Sequence, residues 1–291
     1  MHLILNSFGF GLVTASVLAL AAVGVTLQFG VTNYVNFAYG EYLTLGAYLS
    51  WILNVQLHVD FWLAAVGGAV ATGVGAVVIS EFVLKPFVRR GARLLFLLIV
   101  TLGMSLILAN IFQILWGTDF RKFDIPNQQV FSVGPLIFTP NQVIIMAIGL
   151  GAMLAIHWLL KYTKLGKAMR AMSDNLNLAR VGGVDTDRVT LWTWFISGCL
   201  AGLAGVMLAL SAGGFQPSFG EEFLFVIFAA VIVGGVGQPY GAMLGALTIG
   251  SVTEMSAAVL NSALKSDVAF LVLIVMILIR PQGLIPTQGK A

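Results

Sequence analysis

Two short polar segments hold the residues of this sequence that are best placed to handle a solute. They read Asn-Phe-Ala-Tyr-Gly-Glu at 36–41 and Gln-Pro-Ser-Phe-Gly-Glu at 216–221, and each interrupts a strongly apolar stretch. Broken backbone at membrane depth is tolerated where it is buried in protein or lines a wet cavity. We therefore predict that a solute path or its gate includes Asn36, Tyr39, Gly40, Glu41, Gln216 and Glu221.

A simpler interpretation of both segments stays open. Each can be a loop at the water interface that leads into the next helix. The glutamates at 41 and 221 would then stand in the first turn of that helix, where the helix dipole favours a negative charge. Under either interpretation these residues can face a solute.

Residue types that support catalysis or metal binding are scattered. His2, His58 and His157 have no metal-ligand spacing, and Cys199 is the single cysteine. Gly166-Lys167 lacks the glycine five residues earlier that a phosphate-binding P-loop requires, and an alanine follows the lysine. We therefore predict a protein that is not an enzyme and that itself binds no metal and no cofactor.

A basic segment at 161–188 has internal order. Its residues 166–172 have the pattern of an amphipathic helix. Ser173 or Asp174 can cap a second short helix at 175–181 by accepting its free N–H groups.

The end of that short helix is also marked in the sequence. Gly182-Gly183 is typical of a helix C-cap, with Gly182 in the left-handed conformation, and Asp185 can cap the following membrane helix. A capped helix between two spans is typical of a docking surface, although it can also be a plain connector. We assign docking to Asp174, Asn175, Leu176, Leu178, Val181, Gly182 and Gly183.

The composition places these segments in a membrane protein. Of 291 residues, 59% are hydrophobic and 9% are charged, whereas soluble domains have about 25% charged residues. We predict an all-α polytopic helix bundle of eight or nine crossings, with broken or re-entrant segments, that forms a single domain over 1–291. The hydrophobic segments lie at 8–28, 37–56, 61–84, 94–116, 141–160, 189–211, 223–237, 240–261 and 266–279.

The distribution of positive charge gives the expected orientation. Cytoplasmic loops of membrane proteins are enriched in Lys and Arg. If 85–93, 161–188 and the tail from 280 are cytoplasmic, twelve of the fifteen basic residues lie inside. The loop 117–140 is then extracytoplasmic.

The two polar segments also suggest an internal repeat. Residues 24–43 and 205–224 each begin with Gly-Val, contain a polar break after a span, and reach aromatic-Gly-Glu before an apolar helix. Transporters are often built from repeats with broken helices at corresponding positions. Glycines spaced at three and four residues, as at 198, 202 and 205, favour close packing of membrane helices.

Five motifs in order resemble the permeases of branched-chain amino acid ABC transporters. They are VTNYVNFAYGEYLTLGAY (31–48), LGKAMRAMSDNLNLARVGGVDTDRV (165–189), FISGCLAGLAGVM (195–207), AAVIVGGVGQPYGAMLGAL (229–247) and LIRPQGLI (278–285). The resemblance covers nearly the whole chain. Tyr39 departs from it, because the family more often has histidine there, and so does Gln238-Pro239.

The resemblance implies a permease subunit of a bacterial or archaeal importer in the inner membrane. Its expected partners are a second, similar permease, two cytoplasmic ATPases that bind ATP and Mg, and an extracytoplasmic solute-binding protein; no nucleic acid is involved. The docking segment 174–183 would be the coupling helix that contacts an ATPase. We expect branched-chain or other neutral amino acids as solutes, with urea or short amides as the alternative within the family.

Two interpretations of another class stay open. A proton-coupled secondary transporter could use Glu41 or Glu254 as its intramembrane acid. A membrane scaffold would move no solute.

Overall fold

The computed structural model describes residues 2–125, 130–133, 136–261 and 264–285, and its described part is almost entirely helical. The α-helices are α1 (His2–Thr32), α2 (Tyr39–Trp51), α3 (Phe61–Ile79), α4 (Lys85–Arg89), α5 (Leu94–Trp116), α6 (Pro140–Tyr162), α7 (Lys164–Asp174), α8 (Leu176–Val181), α9 (Thr186–Ala212), α10 (Phe219–Gly234), α11 (Pro239–Val259) and α12 (Lys265–Ile279). Two π-helical turns, Ile52–Gln56 and Ser80–Leu84, extend α2 and join α3 to α4.

Each of the nine hydrophobic segments is a helix, which confirms the predicted all-α membrane bundle. Six helices in the described part of the chain are long and apolar enough to cross a membrane: Asn6–Thr32, Phe61–Arg89, Leu94–Trp116, Pro140–Tyr162, Thr186–Ala212 and Pro239–Val259. The other three predicted segments form α2, α10 and α12, whose regular α-helical parts have 13, 16 and 15 residues. The predicted eight or nine crossings therefore require these shorter helices to complete a span.

The structure contains an antiparallel pair of short strands that was not predicted. The pair consists of β1 (Phe131–Val133) and β2 (Leu136–Phe138), with Phe131 opposite Phe138. It occupies part of the expected extracytoplasmic loop, whose Pro126 and Pro135 lie outside the described residues. Pro140 begins α6, a position that suits its missing N–H.

The described residues form two compact units. One contains the chain up to Thr26, Ile125–His157 and the chain from Phe225 onward; the other contains Leu27–Asp124 and Trp158–Leu224. The second unit contains both polar segments and the basic segment, and is built around α2, α3 and α9.

Small residues let α2, α3 and α9 approach closely. A Cβ on Gly46 would clash with the backbone of Gly202, and a Cβ on Gly202 would stand 2.8 Å from the Thr72 hydroxyl. A Cβ on Gly198 would stand 2.7 Å from Ala76. These contacts confirm that the glycines of α9 serve helix packing.

Within the other unit, α1 and α11 pack in the same manner. A Cβ on Gly11 would stand 2.9 Å from the Ser251 Cα, and one on Gly250 would stand 2.6 Å from the Ala15 Cα. The end of the described chain is held to α10, because Leu284 N–H donates to the Val233 carbonyl at 2.9 Å.

Candidate functional site

The first polar break follows a left-handed residue. Helix α1 ends at Thr32, and Asn33 then has φ +57°, which asparagine tolerates better than most residues. The Asn36 side chain is buried; its amide donates to the Gln28 Oε1 at 3.1 Å and accepts from the Ala38 N–H at 3.1 Å. The Asn36 carbonyl accepts from Tyr39 N–H, where α2 begins. Asn36 therefore shapes the break from both its side chain and its backbone.

The second polar break repeats this arrangement 180 residues later. Helix α9 ends at Ala212, and Gly213 follows with φ +75°. The Gln216 carbonyl accepts from Phe219 N–H, where α10 begins. In both breaks the left-handed residue, the residue with an amide side chain and the first residue of the next helix are separated by the same number of residues. This equal spacing supports the predicted internal repeat.

The two helix starts meet at their glycines. A Cβ on Gly40 would stand 2.6 Å from the Gly220 carbonyl oxygen, and a Cβ on Gly220 would clash with the Gly40 carbonyl. The Cβ of Leu224 and the hydroxyl of Thr44 also border this crossing. Only residues without a side chain allow the backbones to come this close, so the predicted path residue Gly40 meets Gly220, the matching glycine of the second motif, which was not among the predicted path residues.

The remaining predicted path residues divide by burial. Tyr39 is fully buried, and its hydroxyl donates to the Ser197 carbonyl at 3.3 Å. Glu41 is also fully buried, whereas Gln216 and Glu221 are exposed. The structure therefore brings Asn36, Tyr39 and Glu41 into the interior of the unit and leaves the second segment's polar side chains on its surface.

Glu41 is only partly satisfied by its neighbours. Its Oε1 accepts from the Ser105 hydroxyl of α5 at 3.2 Å, and its Oε2 has no hydrogen-bond partner among the described residues. A buried carboxylate oxygen without a partner is expensive. An ionisable side chain that is buried in a membrane protein without hydrogen bonds to all of its polar atoms is typical of a residue retained for function.

The basic segment folds as two helices with sharply defined ends. The Thr163 side chain caps α7 by accepting from Gly166 N–H at 3.0 Å, and α7 contains the residues 166–172 that were predicted to be helical. The Asp185 side chain caps α9 by accepting from Arg188 N–H at 3.1 Å, also as predicted.

The predicted caps of the short helix α8 were wrong by one residue at each end. Helix α7 continues through Asp174, so Ser173 and Asp174 are helical, and Asn175 caps α8 by accepting from Leu178 N–H at 3.0 Å. At the other end Gly182 has φ −71° and Gly183 has φ +83°.

Gly182 is the C-cap residue of α8: its N–H still donates to the Leu178 carbonyl, but its ψ of 6° is no longer helical. The left-handed residue comes next, and the Val184 N–H closes the end by donating to the Ala179 carbonyl at 3.0 Å. This six-to-one bond defines a Schellman ending with Gly183 at its left-handed position.

The apolar side chains of α8 lie on different faces. Leu178 and Val181 are 70% and 86% exposed, whereas Leu176 is 42% exposed and lines a cavity together with Arg180. Residues three apart share a helix face, so Leu178 and Val181 form one outward apolar pair. We call this pair the α8 outer face.

Sequence reasoning missed the cavity next to α8. Its volume is about 510 Å³, and its lining includes Tyr34, Lys85, Arg180, Asp187 and Trp194. These residues come from four separate stretches of the chain, so no local pattern could have grouped them.

The alternative intramembrane acid, Glu254, has partners on both oxygens. Its Oε2 accepts from the Lys265 ammonium at 2.7 Å, and its Oε1 accepts from the Thr14 hydroxyl at 2.9 Å. Within the described ranges no group of three or more His, Cys, Asp or Glu side chains could hold a metal ion.

Comparison with known proteins gives a family match along nearly the whole chain. Residues 7–279 match the model of the family described as branched-chain amino acid transport system / permease component. The high-affinity branched-chain amino acid transport system permease protein LivH of Escherichia coli K12 is 32% identical over 296 residues, covering 94% of this chain and 93% of its own.

Relatives from another organism and with another solute in their name are also found. The probable branched-chain amino acid transport permease protein LivH of Methanocaldococcus jannaschii is 31% identical, covering 96% of this chain and 91% of its own. The ribose import permease protein RbsC of E. coli K12 is 28% identical, covering 81% of this chain and 73% of its own. No solved structure matches the chain significantly.

Proposed function

Because this chain belongs to the family of branched-chain amino acid transport system permease components, we propose that it is the permease subunit of an ABC importer for branched-chain or other neutral amino acids. It is a multi-pass membrane protein, and six helices within its described residues are long and apolar enough to span a membrane. The observation that carries the proposal is the family match over residues 7–279. The proton-coupled and scaffold alternatives are not favoured, and Glu254 is already held by Lys265.

The energy for import comes from partners. ATPase and substrate-binding subunits are general to importers of this family, and the specific assembly we propose has a second similar permease, two ATPases that bind ATP and Mg, and one extracytoplasmic binding protein. In this assembly the permease contributes the membrane path. Its own residues do no chemistry on the solute.

The crossing of α2 and α10 at Gly40 and Gly220 supports a gate at this position. The closest contacts at this crossing are between backbone atoms, with Thr44 and Leu224 beside them, so α2 and α10 can shift against each other with little repacking of side chains. Glu41 follows Gly40 directly and Asn36 lies four residues before it, and Glu221 and Gln216 have the same spacing around Gly220. We assign these residues to the path or its gate, while the binding protein supplies most of the selectivity.

Helix α8 couples the ATPase to the membrane helices. Its outer face, Leu178 and Val181, is apolar and exposed, which suits insertion into a groove of a partner. Asn175 and Gly183 fix its two ends. A displacement of α8 by the ATPase therefore passes through the Asp185 cap into α9, which packs on α2 and α3.

Amino acids are the proposed solutes. Sugars are the competing class of solute, because one relative is named as a ribose permease. The relatives that cover more than nine-tenths of this chain are named for branched-chain amino acids, and the ribose permease covers 81%. The alternative of urea or short amides is not favoured, because the family description and these relatives name branched-chain amino acids.

Co-purification from the native host tests this proposal. The tagged chain should bring down one further permease and ATPase subunits in fixed ratio, together with a binding protein that retains an amino acid. A tagged soluble protein of the same host is the control. Recovery of the chain alone, or with a binding protein loaded with sugar, would contradict the proposed assembly or the proposed solute.

A further inference from the structure

An open, mostly apolar groove lies between α7 and the start of α9. Its volume is about 580 Å³. Helix α7 contributes Lys164, Leu165 and Ala168 to its lining, and the start of α9 contributes Arg188 and Trp192. The groove shares no lining residue with the cavity beside α8. We call it the α7–α9 groove.

The α7–α9 groove lies at the boundary of the membrane. Only Thr163 separates the end of the spanning helix α6, at Tyr162, from the start of α7. A Cβ on Gly166 would stand 2.5 Å from the Leu160 Cα, so α7 folds back tightly on the end of α6. The other wall is the first part of α9, which is also long and apolar enough to span. The groove is therefore at the level where two spans leave the apolar layer.

Aromatic side chains mark the same boundary. Trp192 lines the groove and is 50% exposed, and Trp158 and Tyr162 at the end of α6 are 61% and 60% exposed. Trp and Tyr are enriched where a membrane meets water. Trp192 belongs both to the groove and to the exposed surface of a spanning helix, so the groove is continuous with the surface that faces lipid.

The groove is bordered by basic side chains that have no acidic partner. Four basic residues fall within 161–170, a stretch without Asp or Glu: Lys161, Lys164, Lys167 and Arg170. None of the four forms an ion pair within the described part of the chain. Arg188 is paired with Asp185, whose Oδ2 lies 3.0 Å from the Arg188 Nε. Since that pair is neutral, Lys164 gives the lining a net positive charge.

We propose that the α7–α9 groove binds one anionic phospholipid of the cytoplasmic leaflet. The phosphate is received by the Lys164 ammonium and by the N–H groups of Arg188 that Asp185 does not use. The glycerol and the first acyl carbons lie against Leu165 and Trp192. Basic clusters next to the cytoplasmic end of a membrane helix attract anionic headgroups, and the positive charge of the segment indicates the cytoplasmic side.

The combination of charge and apolar wall selects this class of ligand. A soluble anion would pair with Lys164 but leave the apolar wall in contact with water. A neutral phospholipid would cover the wall but bring no net charge to Lys164. Only a lipid with a negatively charged headgroup suits both parts of the groove.

A bound lipid would also hold both neighbours of the coupling helix. Helix α8 lies between α7 and α9 in the chain, and the groove is formed by these two helices. A lipid that bridges them would fix both anchors of α8 at the membrane surface. The site itself requires only a membrane protein, whereas this consequence rests on the proposed function of α8.

Lipid titration of the purified full chain tests the site. Native mass spectrometry in detergent measures the apparent dissociation constant of the first bound phosphatidylglycerol, and phosphatidylcholine with the same acyl chains is the neutral probe. We expect phosphatidylglycerol to bind about fivefold more tightly or better, the usual effect of one basic residue near an anionic lipid. Equal binding of the two lipids would overturn the proposal.

A matched pair of charge variants locates the site. Lys164→Gln should weaken phosphatidylglycerol binding about fivefold and leave phosphatidylcholine binding unchanged. Arg93→Gln removes another exposed charge without an ion pair from the segment 85–93, outside the groove, and should keep the preference. An equal loss in both variants would indicate diffuse attraction to a basic surface, and the site would fall.

A second pair tests the apolar wall. Ala168→Trp places a ring in the groove and should weaken binding of phosphatidylglycerol, although every basic residue is kept. Ala171→Trp adds the same ring at an exposed residue of α7 outside the groove and should bind like the unmodified chain. If Ala168→Trp keeps the lipid preference but loses the ATPase in pull-down, the groove belongs to a protein partner and the lipid site is wrong.

The lipid site and the proposed function fail in different measurements. ATP-driven leucine import by the assembled complex is followed separately from lipid binding by the single chain. Import without any preference for phosphatidylglycerol overturns the lipid site alone. A clear preference that is lost in Lys164→Gln, together with no ATP-driven import, supports the lipid site and overturns the proposed function.

Discussion

Gly40 and Gly220 lie backbone against backbone, each as the second residue of its helix, with 2.6 Å between a Cβ built on Gly40 and the Gly220 carbonyl oxygen. They are also the matching glycines of the two aromatic-Gly-Glu motifs. The two repeats therefore share a sequence pattern and also touch each other at equivalent glycines. A contact between equivalent points of two repeats is a natural place for a symmetric gate.

Gly40→Ala is predicted to destabilise the protein and to impair transport. The added methyl group meets backbone, which cannot rotate away, so α2 and α10 must separate; overpacking of this kind typically costs about 1–3 kcal/mol. The thermal midpoint of the purified protein measures the effect. Gly103→Ala in α5 is the matched control, because a Cβ there meets nothing within 4 Å and alanine favours helix. Equal midpoints for the two variants would refute the tight crossing.

Glu41→Ala is predicted to reduce uptake several-fold more than it reduces the amount of permease in the membrane. The buried carboxylate is kept despite an unpartnered Oε2, which points to function more than to stability. Ser105→Ala removes only the hydroxyl that donates to Glu41 and should have the smaller effect. Radiolabelled uptake, normalised to permease by immunoblot, separates the two. Full uptake by both Glu41→Ala and Glu221→Ala would remove these residues from the path and leave the interfacial-loop interpretation.

Leu178→Asp is predicted to abolish ATPase docking while the permease still reaches the membrane. Leu178 is exposed in the isolated chain, so the substitution leaves the fold intact, but in the docked state it buries an unpaired charge at a cost of a few kcal/mol. Pull-down of the ATPase and ATP-driven uptake are the measurements. Asn177→Asp adds the same charge at a neighbouring polar residue and should dock. Retention of both docking and uptake by Leu178→Asp would move the coupling site elsewhere, with 85–93 as the next candidate.

The two ends of α8 can each be tested with a pair of variants, of which one is expected to destabilise the helix and the other is not. Gly183→Ala forces alanine into a left-handed conformation at φ +83°, which costs about 1 kcal/mol, whereas Gly182→Ala at φ −71° is tolerated. Asn175→Ala removes the cap of α8 at a cost of about 1 kcal/mol, whereas Asp174→Ala does not. Hydrogen exchange across 174–184 reports the difference. Similar exchange in Gly183→Ala and Gly182→Ala would contradict the Schellman ending.

Much of the fold could be predicted from the sequence, because hydrophobic runs leave a membrane chain few options. The run 94–116 coincides with α5, and the glycines of α9 are where neighbouring helices approach. Helix ends were harder to locate: Asp174 and Asn175 are both good caps, and only the point where α7 stops decides between them. The paired strands Phe131–Val133 and Leu136–Phe138 were missed because each has only three residues.

The candidate site was only partly predictable for a related reason. Asn36, Glu41, Gln216 and Glu221 were grouped by motif, yet tertiary packing buries Glu41 and exposes Glu221. A motif carries no information on which side of its helix meets a neighbour. The cavity around Trp194 depends on residues far apart in sequence, so only the structure could reveal it.

ATP-driven solute uptake tests the central claim most directly. Proteoliposomes are prepared with this chain alone and with its second permease, the ATPases and the binding protein, and radiolabelled leucine accumulation is followed with and without ATP and with an imposed proton gradient. The account predicts uphill accumulation only in the complete assembly, only with ATP, and with no competition by ribose. Uphill accumulation by this chain alone, driven by the proton gradient without ATP, would contradict it.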